Sequence, residues 1–190
     1  MILGISGYGS SGKDEFFRAA ERFKGYAFKR SAFADPLKRI TSELLDVPIE
    51  YFYDRILKGH PLTIFGYEFT PDQACIKVGT EVGRNLHPDI WVRKAMKNLP
   101  PDTIFTDCRF PNEARAIVEH GGIVVRVERP GVGPRIDMNT GKPHISDVAL
   151  DDWPFDFILH NATTLEAYQS AVFHTVNAAE RLLRSRAGRL

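Results

Sequence analysis

The segment that most constrains the fold is residues 7–14, GYGSSGKD, which follow the apolar run 2–6. A short apolar run that ends in glycines predicts a buried strand, and the residues after Lys13 carry apolar side chains at helical spacing. Between a strand and a helix, a glycine-rich turn aims backbone N–H groups inward and forms an anion nest. The segment matches the pattern G-x-x-x-x-G-K-[ST] through Lys13 and departs from it at Asp14.

A turn of this type predicts that the chain binds the phosphates of ATP together with Mg²⁺, with Lys13 reaching the β- and γ-phosphates. Asp14 has two interpretations. It ligates magnesium, which we favour because carboxylates suit that hard ion, or it caps the helix that follows. The predicted cofactor-binding residues are Gly7, Tyr8, Gly9, Ser10, Ser11, Gly12, Lys13, Asp14 and Glu15.

Length and composition predict an ordinary soluble protein of the cytoplasm. The 190 residues suffice for one domain with a substantial core, and 43% of them are hydrophobic and 26% charged. The net charge of +1 argues against a stable nucleic-acid partner. Two cysteines make no disulfide framework and indicate a reduced, cytoplasmic setting. The apolar N-terminal run is too short for a signal peptide or a membrane-spanning helix, so no membrane partner is expected.

Predicted strands alternate with predicted helices along the chain. Further strands are expected at 26–31, 103–107, 123–128 and 156–160, with a hairpin or loop at 61–69. Further helices are expected to begin at Asp35-Pro36 with Asp35 as N-cap, at Thr70-Pro71, at Pro88, at Phe110-Pro111 and at a Thr163/Glu166 capping box. The alternation predicts an α/β, three-layer P-loop NTPase fold with a mostly parallel five-stranded sheet and helices on both faces.

Charged side chains are expected beside the glycine-rich turn. Asp107 ends a predicted strand, and open α/β sheets bind ligands at the carboxyl ends of their strands. We therefore expect Asp107 near the turn as a second magnesium ligand, with a cap for the next helix as the alternative. Cations must neutralise a transferring phosphoryl group. Arg109 lies at the same sheet edge, and Arg129 and Arg135 lie in 129–143, a long loop without apolar periodicity that predicts a lid.

Six segments together are similar to those of one known family: GYGSSGKD, SAFADPLK (31–38), VGTEVGRNLHPDIWV (78–92), TDCRFPNEA (106–114), HISD (144–147) and DFILHNATTLE (156–166). The chain resembles the bacteriophage deoxynucleoside monophosphate kinases, which are P-loop kinases related to the cellular nucleoside monophosphate kinases. The resemblance runs from Ile2 to about Glu166, and the P-loop of that family also tends to end in GKD. The segment HISD departs from the family pattern HxSE at its last position, where Asp147 replaces the expected Glu and has a shorter side chain.

The resemblance implies transfer of the γ-phosphoryl group of ATP to a deoxynucleoside monophosphate (dNMP), giving dNDP and ADP, with Mg²⁺. It implies a supply of precursors for phage DNA synthesis. It also implies a single kinase domain, 1–190, with a helical NMP-binding insertion at about 33–98 and a lid at about 129–150. Related enzymes are often dimers, so a homodimer is a further expectation.

The resemblance also implies roles for individual residues. Catalytic roles fall on Lys13, Asp107, Arg109 and Arg129, and Asp14 and Asp107 would hold magnesium. The implied substrate-binding residues are Phe33, Asp35, Lys38, Thr80, Glu81, Arg84, Trp91 and Arg135. For Trp91, which could stack on a base, a place in the core is the alternative.

Two other functions stay open from the sequence. One is a P-loop kinase for another acceptor, such as a coenzyme precursor or a modified base in phage DNA, although the net charge of +1 does not favour a DNA groove. The other is a non-catalytic nucleotide-binding protein. The lid arginines and the Asp107/Arg109 pair argue against a non-catalytic protein, because nucleotide binding alone does not require them.

Overall fold

The structure of the protein is a computed structural model, which describes residues 1–24, 27–136 and 140–188. The chain divides into two compact units, one formed by Met1–Ala32 with Asn98–Leu190 and the other by Phe33–Lys97. The bounds of the second unit are close to those predicted for the NMP-binding insertion, whose role stays a prediction. Each unit has its own β-sheet.

Helices and strands alternate in the first unit, and the second unit is mainly helical. The elements are β1 (Ile2–Ser6), α1 (Lys13–Lys24), β2 (Lys29–Ser31), α2 (Asp35–Leu45), α3 (Glu50–Tyr53), β3 (Leu62–Ile64), β4 (Tyr67–Phe69), α4 (Pro71–Ile76), α5 (Ile90–Met96), β5 (Thr103–Phe105), α6 (Pro111–Glu119), β6 (Ile123–Glu128), α7 (Ile145–Val148), β7 (Phe157–His160) and α8 (Leu165–Ala187). A 3₁₀ turn covers Leu57–Gly59, and a π-helical segment covers Lys77–Arg84.

The sheet of the first unit has five parallel strands in the order β2-β5-β1-β6-β7. In the central strand β1, Leu3 lies between Ile104 of β5 and Ile123 of β6. Every neighbouring pair is parallel, so helices must carry the chain back between strands. The predicted α/β fold with a mostly parallel five-stranded sheet is confirmed. The second strand begins at Lys29, and residue 26, where it was predicted to start, lies outside the described residues.

Both faces of this sheet are covered by helices. Side chains alternate between the faces of a strand, and Leu3 and Ile5 of β1 are fully buried in one cluster with residues of α1 and α8. The intervening Gly4 lies on the opposite face, where a Cβ would clash with Ile117 of α6. Along α8, the predicted apolar face is buried at Tyr168, Val172, Val176 and Ala179. Burying each Val side chain stabilises the fold by roughly 1.5–3 kcal/mol.

Two predicted helix caps are wrong by one residue. Asp35 is the first residue of α2, and Ala34 precedes it with helical dihedral angles and no side-chain cap. Because Pro36 has no N–H, one donor that a cap would satisfy is missing. At α8 the cap is Thr164, not Thr163, because the extended backbone at Thr164 lets its side-chain oxygen accept from Ala167 N at 3.3 Å.

The second unit contains the predicted hairpin. Strands β3 and β4 are antiparallel with Leu62 opposite Phe69, and the connecting residues Phe65 and Gly66 have φ of 53° and 79°. Two positive φ values are the mark of the tight turn that matches the twist of a hairpin. After the hairpin, Thr70 caps α4 in a capping box with Gln73.

The helix that was predicted to begin at Thr70-Pro71 changes its pitch. It is α-helical only to Ile76 and continues as the π-helical segment Lys77–Arg84, a wider helix with i→i+5 hydrogen bonds. The buried residues of that segment are its two glycines, Gly79 and Gly83. Val82 is 55% exposed, so close backbone packing through glycine replaces an apolar stripe here.

The predicted lid has little regular structure in its described part. Ile136 and Pro143 form an isolated antiparallel bridge, and the four-residue helix α7 follows. Residues 137–139 of the predicted lid lie outside the described residues. No helix within the described ranges is both long and apolar enough to cross a membrane.

Candidate functional site

The P-loop, residues 7–13, connects β1 to α1 in a turn that requires glycine at two positions. Gly7 and Gly12 have φ of 142° and 113°, which side chains rarely adopt. A Cβ on Gly7 would lie 2.3 Å from the carbonyl oxygen of Val127, and one on Gly12 would lie 2.6 Å from Asn161 Nδ2. The tight approach of the turn to β6 and to the end of β7 therefore excludes larger residues.

The donors of this turn fit an anionic ligand. Among the described residues, Ser11 Oγ is buried and has no hydrogen-bond partner. The Lys13 ammonium donates to the carbonyl oxygens of Gly7 at 2.7 Å and Tyr8 at 2.6 Å, so it lies folded back over the turn. Hydroxyl and ammonium groups at a helix N-terminus match phosphate oxygens, which only accept hydrogen bonds.

Residues from the C-terminal part of the chain hold the P-loop in place. Asn161 Nδ2 donates to Ser11 O at 2.9 Å, and the Tyr168 hydroxyl donates to Gly12 O at 3.0 Å. Burial raises the pKa of Tyr168, and the charge of Glu15 adds to this rise, so the hydroxyl keeps its proton. No role was predicted for these two residues from the sequence. The polar run HNATT directly after a predicted strand was the available signal for Asn161.

Charged side chains from three parts of the first unit act on the pKa of Lys13. Burial and the charge of Arg109 lower it, the charges of Asp14, Asp147 and Asp107 raise it, and the resulting pKa is about 8. The structure thus brings the predicted residues Asp14, Asp107 and Arg109 to Lys13. Asp14 is exposed in the first turn of α1, a position that also suits a helix cap. Both of its interpretations remain.

Arg109 is fixed at both ends. Its backbone N–H donates to Glu113 Oε2 at 2.7 Å, and Glu113 is only 4% exposed. Its guanidinium donates to Asp147 Oδ1 at 2.6 Å. Asp147 also binds Arg135 of the predicted lid, whose Nε lies 3.0 Å from Oδ2. The sequence analysis carried no role over to Asp147, and the HISD segment that contains it was the signal available.

A cavity of about 300 Å³ lies beside the P-loop at the carboxyl ends of β6 and β7. Its lining residues are Tyr8, Arg126, Val127, Glu128, Arg129, Pro130, Val132 and His160. The Arg126 guanidinium lies 4.6 Å from the centroid of the Tyr8 ring and pairs with Asp151 at 2.8 Å. Within the described part of the chain, Arg126 Nη1 is buried without a hydrogen-bond partner. The cavity thus offers an aromatic face, a buried cation and the predicted catalytic Arg129.

Predicted substrate residues 33–38 belong to the second unit. Phe33 is 2% exposed. Lys38 Nζ lies 4.2 Å from the centroid of the Tyr53 ring, and the Tyr53 hydroxyl donates to Asp35 Oδ1 at 2.8 Å. Tyr53 therefore contacts Lys38 through its ring and Asp35 through its hydroxyl. Tyr53 was not predicted as a site residue, because nothing in its local sequence links it to residues 33–38.

The other predicted substrate residues of this unit lie on or beside the π-helical segment. Thr80, Glu81 and Arg84 belong to the segment itself, where Thr80 Oγ1 donates to Ile76 O at 2.5 Å. Glu81 is exposed and Arg84 half-buried. Short π-helical turns occur frequently at functional sites, which makes this segment a candidate binding surface.

Trp91 lies in the core of the second unit. It is 7% exposed, and its Nε1 donates to Gly79 O at 2.9 Å. A Cβ on Gly83 would lie 2.3 Å from the indole ring. The core alternative for Trp91 therefore describes its position, and the indole supports the backbone of the π-helical segment.

Magnesium would depend on few protein ligands. Over residues 1–24, 27–136 and 140–188, no group of three or more His, Cys, Asp and Glu could hold a metal ion by itself. Magnesium is usually bound through one or two carboxylates together with phosphates and water. Asp14 and Asp107, which both act on the pKa of Lys13, are suitable carboxylates for this arrangement.

Comparison with known proteins finds one similarity along nearly the whole chain. The chain is 28% identical over 199 residues to a protein of Acanthamoeba polyphaga mimivirus named "Putative deoxynucleotide monophosphate kinase", an alignment that covers 96% of this chain and 99% of the viral protein. No protein-family model matches the chain. The chain is thus similar, with nearly equal length, to a viral protein named as a nucleotide kinase.

Proposed function

We propose that the chain is a P-loop kinase that transfers the γ-phosphoryl group of ATP to a deoxynucleoside monophosphate. The observation that carries this proposal is the P-loop itself, in which Lys13 folds back over the turn and the buried Ser11 hydroxyl has no hydrogen-bond partner among the described residues. The charges of Arg109, Asp14 and Asp107 reach Lys13. The parallel α/β fold and the full-length similarity to the mimivirus protein support it. In this proposal the enzyme supplies precursors for viral DNA synthesis, and the bacteriophage setting suggested by the sequence is one case of this.

The donor nucleotide would occupy the P-loop and the cavity beside it. The backbone N–H groups of residues 7–13, the Ser11 hydroxyl and the Lys13 ammonium would bind the triphosphate. The neighbouring cavity of about 300 Å³ would take the nucleoside between the Tyr8 side and Arg129. Asp14 and Asp107 would hold Mg²⁺, which when bound neutralises charge on the phosphates.

Phosphoryl transfer needs positioning and positive charge rather than a strong base. A phosphate oxygen of the dNMP is already a nucleophile and forms the new bond to the γ-phosphorus. The bond from that phosphorus to the β–γ bridging oxygen breaks, and its electron pair leaves with ADP. Lys13, Arg109, Arg129 and Arg135 would stabilise the charge that spreads over the phosphoryl oxygens.

The acceptor would bind to the second unit. Lys38, next to the Tyr53 ring, and Arg84 of the π-helical segment would bind the acceptor phosphate. Asp35, Thr80 and Glu81 supply hydrogen-bonding groups for the nucleoside. In this proposal Trp91 and Phe33, both buried, shape the site from behind rather than stack on a base.

A substrate panel tests the proposal. ADP release is measured with Mg-ATP and, in separate reactions, dAMP, dGMP, dCMP, dTMP, their ribonucleotide counterparts, a set of coenzyme precursors and duplex DNA with modified bases. We expect turnover with one or more dNMPs and little with the other classes. Turnover confined to a coenzyme precursor or to DNA would show that the acceptor is that compound and not a dNMP. ATP binding without any turnover would identify a non-catalytic nucleotide-binding protein.

A further inference from the structure

A single carboxylate, that of Asp147, holds two arginines from separate parts of the first unit. Arg109 follows β5, and Arg135 lies in the 129–143 loop. Arg109 Nη1 donates to Asp147 Oδ1 at 2.6 Å. Arg135 Nε donates to Oδ2 at 3.0 Å and Arg135 Nη2 to Oδ1 at 3.2 Å. The backbone N–H of Arg135 donates to Oδ2 at 2.9 Å, so Asp147 fixes the loop as well as the guanidinium.

Both oxygens of Asp147 are therefore engaged by arginine donors, and the side chain is 0% exposed. A buried carboxylate is costly to leave unpaired, so this arrangement depends on both cations. Burial by itself would raise the pKa of Asp147, but the hydrogen bonds and charges of Arg135 and the charge of Arg109 outweigh it and lower the pKa to about 2. The carboxylate is charged at every pH at which a kinase works.

The cluster lies beside the P-loop. Arg109 and Asp147 are both close enough to act on the pKa of Lys13, in opposite directions. Neighbouring residues of the HISD segment add to the contact: Arg135 Nη2 donates to Ser146 Oγ at 3.3 Å, and His144 N donates to Arg135 O at 2.8 Å. The segment thus attaches the loop to the phosphate-binding end of the sheet at several atoms.

We propose that Asp147 is a positioning residue for phosphoryl transfer, which keeps Arg135 side by side with Arg109, the arginine that acts on Lys13, before the nucleotides bind. This inference rests on the proposed function. Two guanidinium groups repel each other unless an anion lies between them, and Asp147 supplies that anion while the phosphates are away. The arginines then need little rearrangement when the phosphates arrive, which is how preorganised charge promotes catalysis. Asp147 itself cannot bind phosphate, since like charges repel.

The sequence of the 129–143 loop provides a readout that does not depend on activity. Trypsin cleaves after Arg and Lys but not before Pro, and Arg129 and Lys142 both precede prolines. The bond between Arg135 and Ile136 is therefore the single tryptic site of the loop. Trypsin must take the Arg135 side chain into its own pocket, so cleavage there reports how firmly Asp147 holds Arg135.

The test compares Asp147→Asn and Asp147→Glu with wild type and with Asp152→Asn, which changes an exposed carboxylate five residues away. In Asp147→Asn an NH₂ group faces the arginine donors. We expect its nucleotide-free form to be cut at Arg135 about tenfold faster, since the local opening becomes easier. We expect kcat to fall by about tenfold or more while the Kd for ATP changes by less than about threefold. Asp147→Glu should restore part of the resistance to cleavage and part of kcat. Asp152→Asn should match wild type in both measurements.

Wild-type cleavage together with wild-type kcat in Asp147→Asn would overturn the inference, as would a loss of kcat with unchanged cleavage. If Asp147→Asn does not fold, Arg135→Lys serves instead, because it keeps the charge and the tryptic site but loses the fork that reaches both oxygens. Because trypsin cleaves after Lys more slowly than after Arg, the rate in each protein is divided by its rate in the unfolded chain, and an unchanged ratio in Arg135→Lys would equally overturn the inference. Failure of the proposed function is seen separately, as absence of dNMP turnover in the wild type.

Discussion

The P-loop of the first unit and the π-helical segment of the second unit are held in place by different forces. Charges from three parts of the chain act on Lys13, and hydrogen bonds from Asn161 and Tyr168 fix the backbone of the P-loop. In the π-helical segment, Gly79 and Gly83 are buried against side chains of the same unit, and one indole N–H binds the backbone. One region depends on charge pairing and the other on close packing.

This difference teaches which changes each region tolerates. A site held by charge loses function when one charge is removed, because the partner charge is then left buried and unpaired. The surrounding sheet does not depend on that pair, so the fold can survive the change. A site held by close packing is sensitive to added volume, since interiors have few voids. The same comparison separates donor binding from acceptor binding in the proposed mechanism.

The largest effect is expected from Lys13→Ala. Removal of the ammonium should lower phosphoryl transfer on the order of 10²–10³-fold, because a preorganised cation at the phosphates is lost. The burial that lowers the pKa of Lys13 to about 8 shows that this charge is costly to keep, so the melting temperature should stay equal or rise. Turnover and thermal melting are measured together. Near-wild-type turnover in this variant would contradict the role given to the P-loop.

Added volume at Gly83 should destabilise the π-helical segment of the second unit. A Cβ there would lie 2.3 Å from the Trp91 ring, and overpacking costs typically about 1–3 kcal/mol of unfolding free energy. We expect Gly83→Ala to lower that free energy and to raise the KM for dNMP, with ATP affinity nearly unchanged. Denaturant unfolding and the two binding measurements check this.

Gly59→Ala is the matched control for Gly83→Ala. Gly59 belongs to the same unit, and nothing lies within 4 Å of a Cβ built on it. A neutral Gly59→Ala beside a destabilised Gly83→Ala would support the packing account. Equal behaviour of the two variants would show that the π-helical segment is not held by its contact with Trp91.

The smallest effect is expected for the contribution of Asp147 to stability at low pH. The folded pKa of Asp147 is about 2, below its usual value near 4, so the stabilisation it gives is complete above the unfolded value and is lost as pH falls towards 2. We expect the stability difference between wild type and Asp147→Asn to shrink by about 1 kcal/mol from pH 5 to pH 3. Urea unfolding at both pH values measures it. A difference that stays constant would show that the ion pairs of Asp147 add nothing to folding.

Local patterns in the sequence were enough to predict the elements around the P-loop. The bounds of β1, α1 and β6 are as predicted, because an apolar run, a glycine-rich turn and a β-branched run are all short-range signals. The approach of Asp107 and Arg109 to the P-loop followed from one rule, that ligands bind at the carboxyl ends of parallel strands.

Contacts between distant residues were beyond the sequence. The pairing of Arg109 with Asp147 joins residues that are 38 positions apart, and no local pattern indicates which carboxylate an arginine will find. The π-helical segment was predicted as an ordinary helix, because its apolar spacing does not reveal the close packing of Gly83 against Trp91 that accompanies the wider pitch. The cap at Thr164 differs from prediction by one residue, since the adjacent Thr163 and Thr164 give equal signals, and at α2 the helix begins one residue earlier than the Asp35-Pro36 signal indicates.

The most direct test of the account is transfer of labelled phosphate. Wild-type protein is incubated with γ-³²P-labelled ATP, Mg²⁺ and each dNMP in turn, and the products are separated, with Lys13→Ala as the parallel reaction. The account predicts that label moves from ATP into a dNDP in equal amount to the ADP formed, and that Lys13→Ala transfers almost none. Wild-type protein that binds ATP but labels no dNDP with any of the four dNMPs would contradict it.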